Sequence, residues 1–141
     1  MGEAHRLFTV FTKEFGKVQL WAISARKSTS KLRGGLEQFY YSQLEFIEGK
    51  NRKVLVEATC LQRHGALRQN LQALRAAFKI AALLDSVVFA EERDEKIWDL
   101  LKQSFQMLEQ GLPPQEVYSS FKRSFLKTAG YGTKQQTPIT L

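Results

Sequence analysis

Residues 2–35 read GEAHRLFTVFTKEFGKVQLWAISARKSTSKLRGG and contain two runs rich in aromatic and β-branched residues. The runs cover residues 6–12 and 17–25, and the segment between them ends in Gly16, which tolerates the positive φ of a tight turn. This pattern predicts a β-hairpin that leads directly into a loop rich in Lys and Arg. Residues 6–33 carry seven basic side chains and one acidic side chain, Glu14, in a protein of net charge +7.

Two further strands are expected after this loop, over residues 39–48 and 54–61, because apolar and polar residues alternate in both. The segment Gly-Lys-Asn-Arg at 49–52 forms the turn between them. Val54, Val56, Ala58 and Cys60 are expected to share one face of the last strand. Four antiparallel strands on short connections predict a small, strongly curved sheet or barrel.

The apolar spacing changes from a strand period to a helical period after His64. Residues 67–88 are predicted to form one helix. Asp94 is placed to cap a second helix that Gly111 ends, and Pro114 is placed to open a third. The sequence thus predicts an α+β protein, with a β domain over residues 1–64 and a helical domain over residues 65–141.

The composition argues against several classes of protein. One cysteine, Cys60, and two histidines, His5 and His64, are too few for a disulfide framework or a multi-cysteine zinc module. The acidic cluster at residues 91–95 flanks a helix N-terminus, where the helix dipole stabilises negative charge. We expect no catalytic residues, no metal, no cofactor and no small-molecule substrate. With no apolar run long enough to span a membrane, the sequence predicts a cytoplasmic protein without a membrane partner.

The basic residues are the candidate binding site, since a pI near 9.7 implies an anionic partner. In the segment ARKSTSKLRGG, cations alternate with hydroxyls that donate to phosphate oxygens, and Gly34-Gly35 is expected to let a backbone approach closely. A mobile, solvated loop without a partner is the alternative. The loop is predicted to hold phosphates, and further residues extend its surface: Arg26, Lys27, Lys31 and Arg33 in the loop, with Arg6, Lys13, Lys17, Arg52 and Lys53 around it.

Aromatic residues give a second indication, because single-strand binders stack bases on exposed rings. Trp21 lies on the face of its strand opposite to Leu20, so that strand is apolar on both faces. One face serves the β core, and the other either stacks on nucleotides or packs against the helices. Packing against the helices is the favoured reading for Trp21.

Several short motifs, in this order along the chain, resemble the RecO family of bacterial recombination mediators. The residues that carry the resemblance are 2–6 (GEAHR) with 7–12 (LFTVFT), 14–17 (EFGK), 25–28 (ARKS), 34–39 (GGLEQF), 45–46 with 48–49, 83–84 and 130–132 (GYG). The resemblance implies an N-terminal OB-fold followed by a helical domain. It also implies binding of single- and double-stranded DNA, annealing of complementary strands, and RecA loading together with RecR and the single-strand-binding protein SSB.

The chain departs from the family pattern at both ends. Family members have a strand before the Gly-Glu-Ala segment and continue beyond Gly-Tyr-Gly, some with a four-cysteine zinc motif. We therefore expect an OB-fold-like barrel without its first strand and an incomplete helical domain, as in a fragment or a shortened homologue. Two other functions stay open on the residues alone: a non-catalytic protein-interaction module that docks through its helices, and an RNA-binding OB-fold protein.

Overall fold

A computed structural model describes residues 5–23, residue 32, residues 34–89 and residues 91–130. This part of the chain is α+β, as the sequence predicts, with the strands preceding the helices. The strands are β1 (Arg6–Thr12), β2 (Gly16–Ala22), β3 (Tyr41–Glu48) and β4 (Lys53–Gln62). The helices are α1 (Gly65–Gln69), α2 (Leu71–Val87), α3 (Glu95–Glu109) and α4 (Pro114–Thr128).

The four strands form one sheet in the order β1-β2-β4-β3. Each hairpin is antiparallel, but β2 and β4 are parallel and pair through Leu20 with Lys53 and Trp21 with Val54. The prediction of four antiparallel strands was wrong at this junction, because β3 lies on the far side of β4 and the strand that pairs with β2 is therefore β4. Among the described strands, β1 and β3 remain the two edges, so the predicted barrel is not closed.

A β-bulge in the second hairpin changes which side chains of β4 face the sheet core. The register shifts between Glu45 and Phe46 of β3, so that Leu55 and Ala58 both face inward while Val56 is exposed. The expected common face of Val54, Val56, Ala58 and Cys60 was therefore wrong, and the Cys60 thiol is half-buried rather than enclosed. An extra residue in one strand reverses which side chains beyond it face the core. A sequence pattern of alternating apolar and polar residues does not show where such a residue is inserted.

The helices form a second hydrophobic core around the buried rings of Phe121 and Phe125, which stack at 5.3 Å between centroids. The predicted single helix over residues 67–88 is divided at Asn70, whose Oδ1 accepts a hydrogen bond from the Ala73 amide at 3.0 Å. An Asn side chain that satisfies a free amide in this way begins a new helix. The predicted cap at Asp94 is confirmed, since its Oδ1 accepts from the Ile97 amide at 3.0 Å.

The helices contact the sheet at the end where β1 turns into β2. The Phe11 ring lies nearly parallel to the Trp98 ring of α3 at 6.4 Å between centroids. Lys17 Nζ donates hydrogen bonds to the backbone oxygens of Asp85 and Val88 at 3.2 and 3.1 Å, at the end of α2. Gly16, with φ of +68°, approaches the Glu92 backbone so closely that a Cβ atom would overlap it. These contacts anchor the hairpin turn to the helices.

Candidate nucleic-acid interface

The nine basic residues predicted to bind nucleic acid divide into two groups in the structure. Arg26, Lys27, Lys31 and Arg33 lie outside the described residues, so their positions stay a prediction. The other five are placed on the sheet and its turns: Arg6, Lys13, Lys17, Arg52 and Lys53.

Three of these five residues lie near the C-terminal end of β2, on both faces of the sheet. Arg6 is paired in register with Ala22, and Lys53 with Leu20. The guanidinium of Arg52 lies 5.3 Å from the centroid of the Trp21 ring. The parallel pairing of β2 with β4 produces this grouping, because it places the 49–52 turn beside the point where β2 ends. The basic segment 24–33 follows β2 directly in sequence.

Lys13 and Lys17 lie at the other end of β2. Ala22 is five residue steps along the strand from Lys17, which corresponds to about 16 Å. The Lys17 ammonium also contacts the Asp85 carboxylate at 2.6 Å, and the side chain is only 19% exposed. The ion pair and the two hydrogen bonds to backbone oxygens hold this cation against the end of α2, so its geometry is that of a tertiary contact.

Lys53 is likewise engaged by carboxylates, although it lies at the basic end of β2. Its Nζ is 3.0 Å from Glu91 Oε2 and 3.4 Å from Glu48 Oε1. The hydrogen bond that Lys53 donates to Glu91 is the largest influence on this ammonium group and raises its pKa above the usual range. Arg6 and Arg52 are both exposed, and each guanidinium lies over an aromatic ring, that of Phe8 and that of Trp21 respectively.

The two glycines at 34 and 35 were both expected to let a nucleic-acid backbone approach closely, but they differ in exposure. Gly35 is buried, and a Cβ atom on it would lie 2.6 Å from the carbonyl carbon of Ala58 in β4. Its carbonyl oxygen accepts a hydrogen bond from Ser42 Oγ at 2.7 Å. Gly35 therefore lets the connection pass close to the sheet, and only Gly34 is exposed.

Trp21 lies on the outer face of the sheet in a row of apolar side chains. The register places Leu7, Trp21, Val54 and Ile47 side by side on β1, β2, β4 and β3. Leu7 is 46% exposed and Ile47 is 58% exposed. Trp21 is half-buried, and in the described part of the chain it is not among the side chains that pack against the helical core, so its packing against the helices stays a prediction. No sequence spacing signals the Arg52–Trp21 contact, which depends on the parallel pairing.

A cleft of about 1,070 Å³ opens between the edge strands β1 and β3, with α2 and α3 on its other side. Phe8 and Val10 line it from β1, Tyr41 and Leu44 from β3, and Trp98 from α3. Strands at opposite ends of the sheet order line the same cleft because the sheet is strongly curled. No pattern in the sequence signals this cleft, since it arises only when the sheet and the helices meet.

His64, one of the two histidines of the chain, is held in the fold by a backbone contact. His64 is buried at the junction between β4 and α1, with Nδ1 2.6 Å from the Phe39 carbonyl oxygen.

Across the described ranges, no group of three or more His, Cys, Asp or Glu side chains is arranged to hold a metal ion. None of the helices in the described ranges is both long enough and apolar enough to cross a membrane.

The fold and the site define an α+β protein with a candidate nucleic-acid interface at one end of a curled sheet. Comparison with known families gives two matches: the family model described as Recombination protein O N terminal covers residues 1–64, and that described as Recombination protein O C terminal covers residues 68–136. Together they account for nearly the whole chain.

Curated relatives agree with this assignment. The chain is 34% identical over 118 residues to a DNA repair protein RecO of Gloeothece citriformis, which is 84% of this chain and 42% of that protein. It is 30% identical to proteins of the same name from Dehalococcoides mccartyi and Moorella thermoacetica, over 92% and 91% of this chain and 51% and 48% of theirs. The chain belongs to the RecO family, and it spans about half the length of the curated relatives it matches.

Proposed function

We propose that this chain is a DNA-binding recombination mediator that acts in recombinational DNA repair without catalysing a covalent step. It binds single- and double-stranded DNA and promotes the annealing of complementary strands. RecR, SSB and RecA are its proposed partners because the chain belongs to the RecO family. In this proposal RecR assists the loading of RecA. The names of the curated relatives, all DNA repair protein RecO, support this role. A cytoplasmic location follows from the same proposal.

The proposal includes an OB-type barrel over residues 1–64 and a separate helical domain over residues 65–141. The two edge strands, β1 and β3, line one cleft although they end the sheet order on opposite sides, which is the curvature of a partly open barrel. Strand structure ends at Gln62 and helical structure begins at Gly65, so the proposed boundary falls where the secondary structure changes. OB-type barrels bind oligonucleotides on an outer strand face and adjoining loops.

The observation that carries the proposal is that the exposed cations Arg6 and Arg52 flank the end of β2, where the basic segment begins. Arg6 lies on the inner face beside Phe8, and Arg52 lies on the outer face over Trp21. Both side chains are exposed and available to phosphates. The proposed contacts are these two residues, Arg26, Lys27, Lys31 and Arg33 of the loop, and Lys13 at the other end of β2. Lys17 and Lys53 add to the positive field of the surface, while their ammonium groups are held in ion pairs.

Annealing follows from the same electrostatics. Two complementary strands repel each other through their phosphates, and a protein with a net charge of +7 lowers that repulsion when both are bound. Strand encounters become more frequent without any bond being made or broken in the protein.

The test is the affinity of charge-reversal variants for a fluorescent single-stranded oligonucleotide, measured by anisotropy across a range of salt concentrations. If about four phosphates are neutralised, the log–log salt slope of the unmodified chain is about −3. A variant with Arg6→Glu and Arg52→Glu, and a second with Lys27→Glu, Lys31→Glu and Arg33→Glu, should each bind more weakly and with a shallower slope.

Lys122→Glu is the matched control, because Lys122 is an exposed cation on α4, in the helical part of the chain. It changes the net charge of the chain without touching the sheet. Equal losses in Lys122→Glu and Arg52→Glu would mean that total charge, rather than this surface, determines binding. Failure of the unmodified chain to bind any oligonucleotide at low salt would overturn the proposed function.

A further inference from the structure

The outer face of the sheet carries an apolar row beside its basic end, in which Leu7 and Ile47 are exposed while Trp21 and Val54 are half-buried. Leu7, Trp21, Val54 and Ile47 lie in register across the four strands, about 14 Å from first to last. Trp98 of α3 contacts the sheet at Phe11 and Tyr41, and in the described ranges no residue of the row is among the side chains that pack against the helical core. The row therefore presents a half-buried aromatic ring flanked by the exposed aliphatic side chains of Leu7 and Ile47.

The charges around this row favour one orientation of an anionic ligand. Arg52 lies over the Trp21 ring, and the exposed Lys50 belongs to the same turn. On the other half of the face, Glu45 and Glu57 are directly opposite each other in the register, and both are exposed. A phosphate backbone is therefore attracted to the β1–β2 side and repelled from the outer face of β3 and β4.

We propose that Trp21 and Arg52 form a base-stacking platform for single-stranded DNA on the outer face of β1 and β2. This inference rests on the proposed function and names the side chains that distinguish single strands from duplexes. The base lies on the indole ring, and the guanidinium either stacks on the opposite face of that base or moves aside to contact its phosphate. A duplex keeps its bases paired and stacked on each other, so it gains little from the platform.

The chain has two tryptophans, Trp21 and Trp98. A Trp98→Phe variant therefore carries Trp21 as its one indole and reports directly on the platform. Titration with oligothymidine of about 12 nucleotides, within the site size of one such barrel, should quench this fluorescence as the oligonucleotide binds. Trp21→Ala should weaken binding of the same oligonucleotide by about 5- to 150-fold. Trp21→Phe, which keeps a ring, should lose less.

Three controls test whether the loss of affinity comes from base stacking on Trp21. Phe89→Ala removes an aromatic ring that is 80% exposed outside the row and should leave affinity unchanged. In Trp21→Ala, the affinity for duplex DNA should change far less than the affinity for single-stranded DNA. A general loss of folding would lower both affinities. An oligouridine arm compares RNA with DNA, and equal quenching and equal loss would overturn the restriction to DNA.

The result that overturns the platform is oligothymidine binding by anisotropy with no change in Trp21 fluorescence and no loss in Trp21→Ala. That outcome leaves the proposed DNA-binding function intact. Absence of binding by every variant, including the unmodified chain at low salt, overturns the proposed function as well. Sedimentation of the unmodified chain without DNA tests for a dimer. A dimer that is lost in Trp21→Ala would show that the row contacts a second copy of the chain and not DNA.

Discussion

Replacing Lys17 with Met tests whether this cation supports the fold or contacts DNA. Lys17→Met keeps the aliphatic stem and removes the ammonium group that contacts the backbone oxygens of Asp85 and Val88 and the Asp85 carboxylate. Hydrogen bonds from a charged donor contribute about 1.5–3 kcal/mol when well shielded, and a cation at a helix C-terminus contributes about 0.3–1 kcal/mol. The ion pair adds little, because the Asp85 side chain is 64% exposed.

The expected loss in the free energy of unfolding is about 1–3 kcal/mol after allowance for solvent screening. For 141 residues the entropy of unfolding is about 0.3 kcal/mol/K, so the loss corresponds to a decrease in Tm of about 3–10 °C. Thermal and urea denaturation followed by circular dichroism measure it. Asp85→Asn leaves the two carbonyl acceptors in place, and it should cost less than about 1 kcal/mol.

The DNA affinity of the same variant separates the two roles of Lys17. Lys17→Met should bind oligonucleotides nearly as well as the unmodified chain below its Tm, whereas Arg52→Met should weaken binding with little change in Tm. A Lys17→Met protein with an unchanged Tm and a loss of affinity as large as that of Arg52→Met would refute the assignment of Lys17 to the junction between sheet and helices.

Three further predictions concern stability. Asp94→Ala should lower the free energy of unfolding by about 1 kcal/mol through loss of the helix cap, and Asp94→Ser should restore most of it in urea denaturation. Phe125→Ala, at a fully buried position, should cost about 3–5 kcal/mol, while the exposed Phe89→Ala should change Tm little. The hydrogen bond that Arg93 donates lowers the pKa of the Glu95 carboxyl, so its stabilisation is present at neutral pH and is lost as pH falls through that lowered pKa. The stability difference between the unmodified chain and Glu95→Gln should accordingly shrink toward acid in denaturation measured from neutral pH downward, and a constant difference would contradict the assignment.

Local patterns in the sequence were sufficient where structure depends on neighbouring residues. The first hairpin, the cap at Asp94, the stop at Gly111 and the start at Pro114 all depend on backbone preferences that act within a few positions. The break at Asn70 was missed because the apolar spacing continues across it, and only the hydrogen bond from the Ala73 amide to its side-chain oxygen shows that a new helix begins.

The composition and order of motifs in the sequence determined the family, the α+β class and the excess of positive charge near the first hairpin. The tertiary structure decided which of the described cations are available. Parallel pairing of β2 with β4 brings Arg52 onto Trp21, and docking of the helices engages Lys17 and Lys53 with Asp85 and Glu91. Those contacts join residues 31 or more positions apart, so they follow from how the strands and helices pack and not from any local preference of the chain.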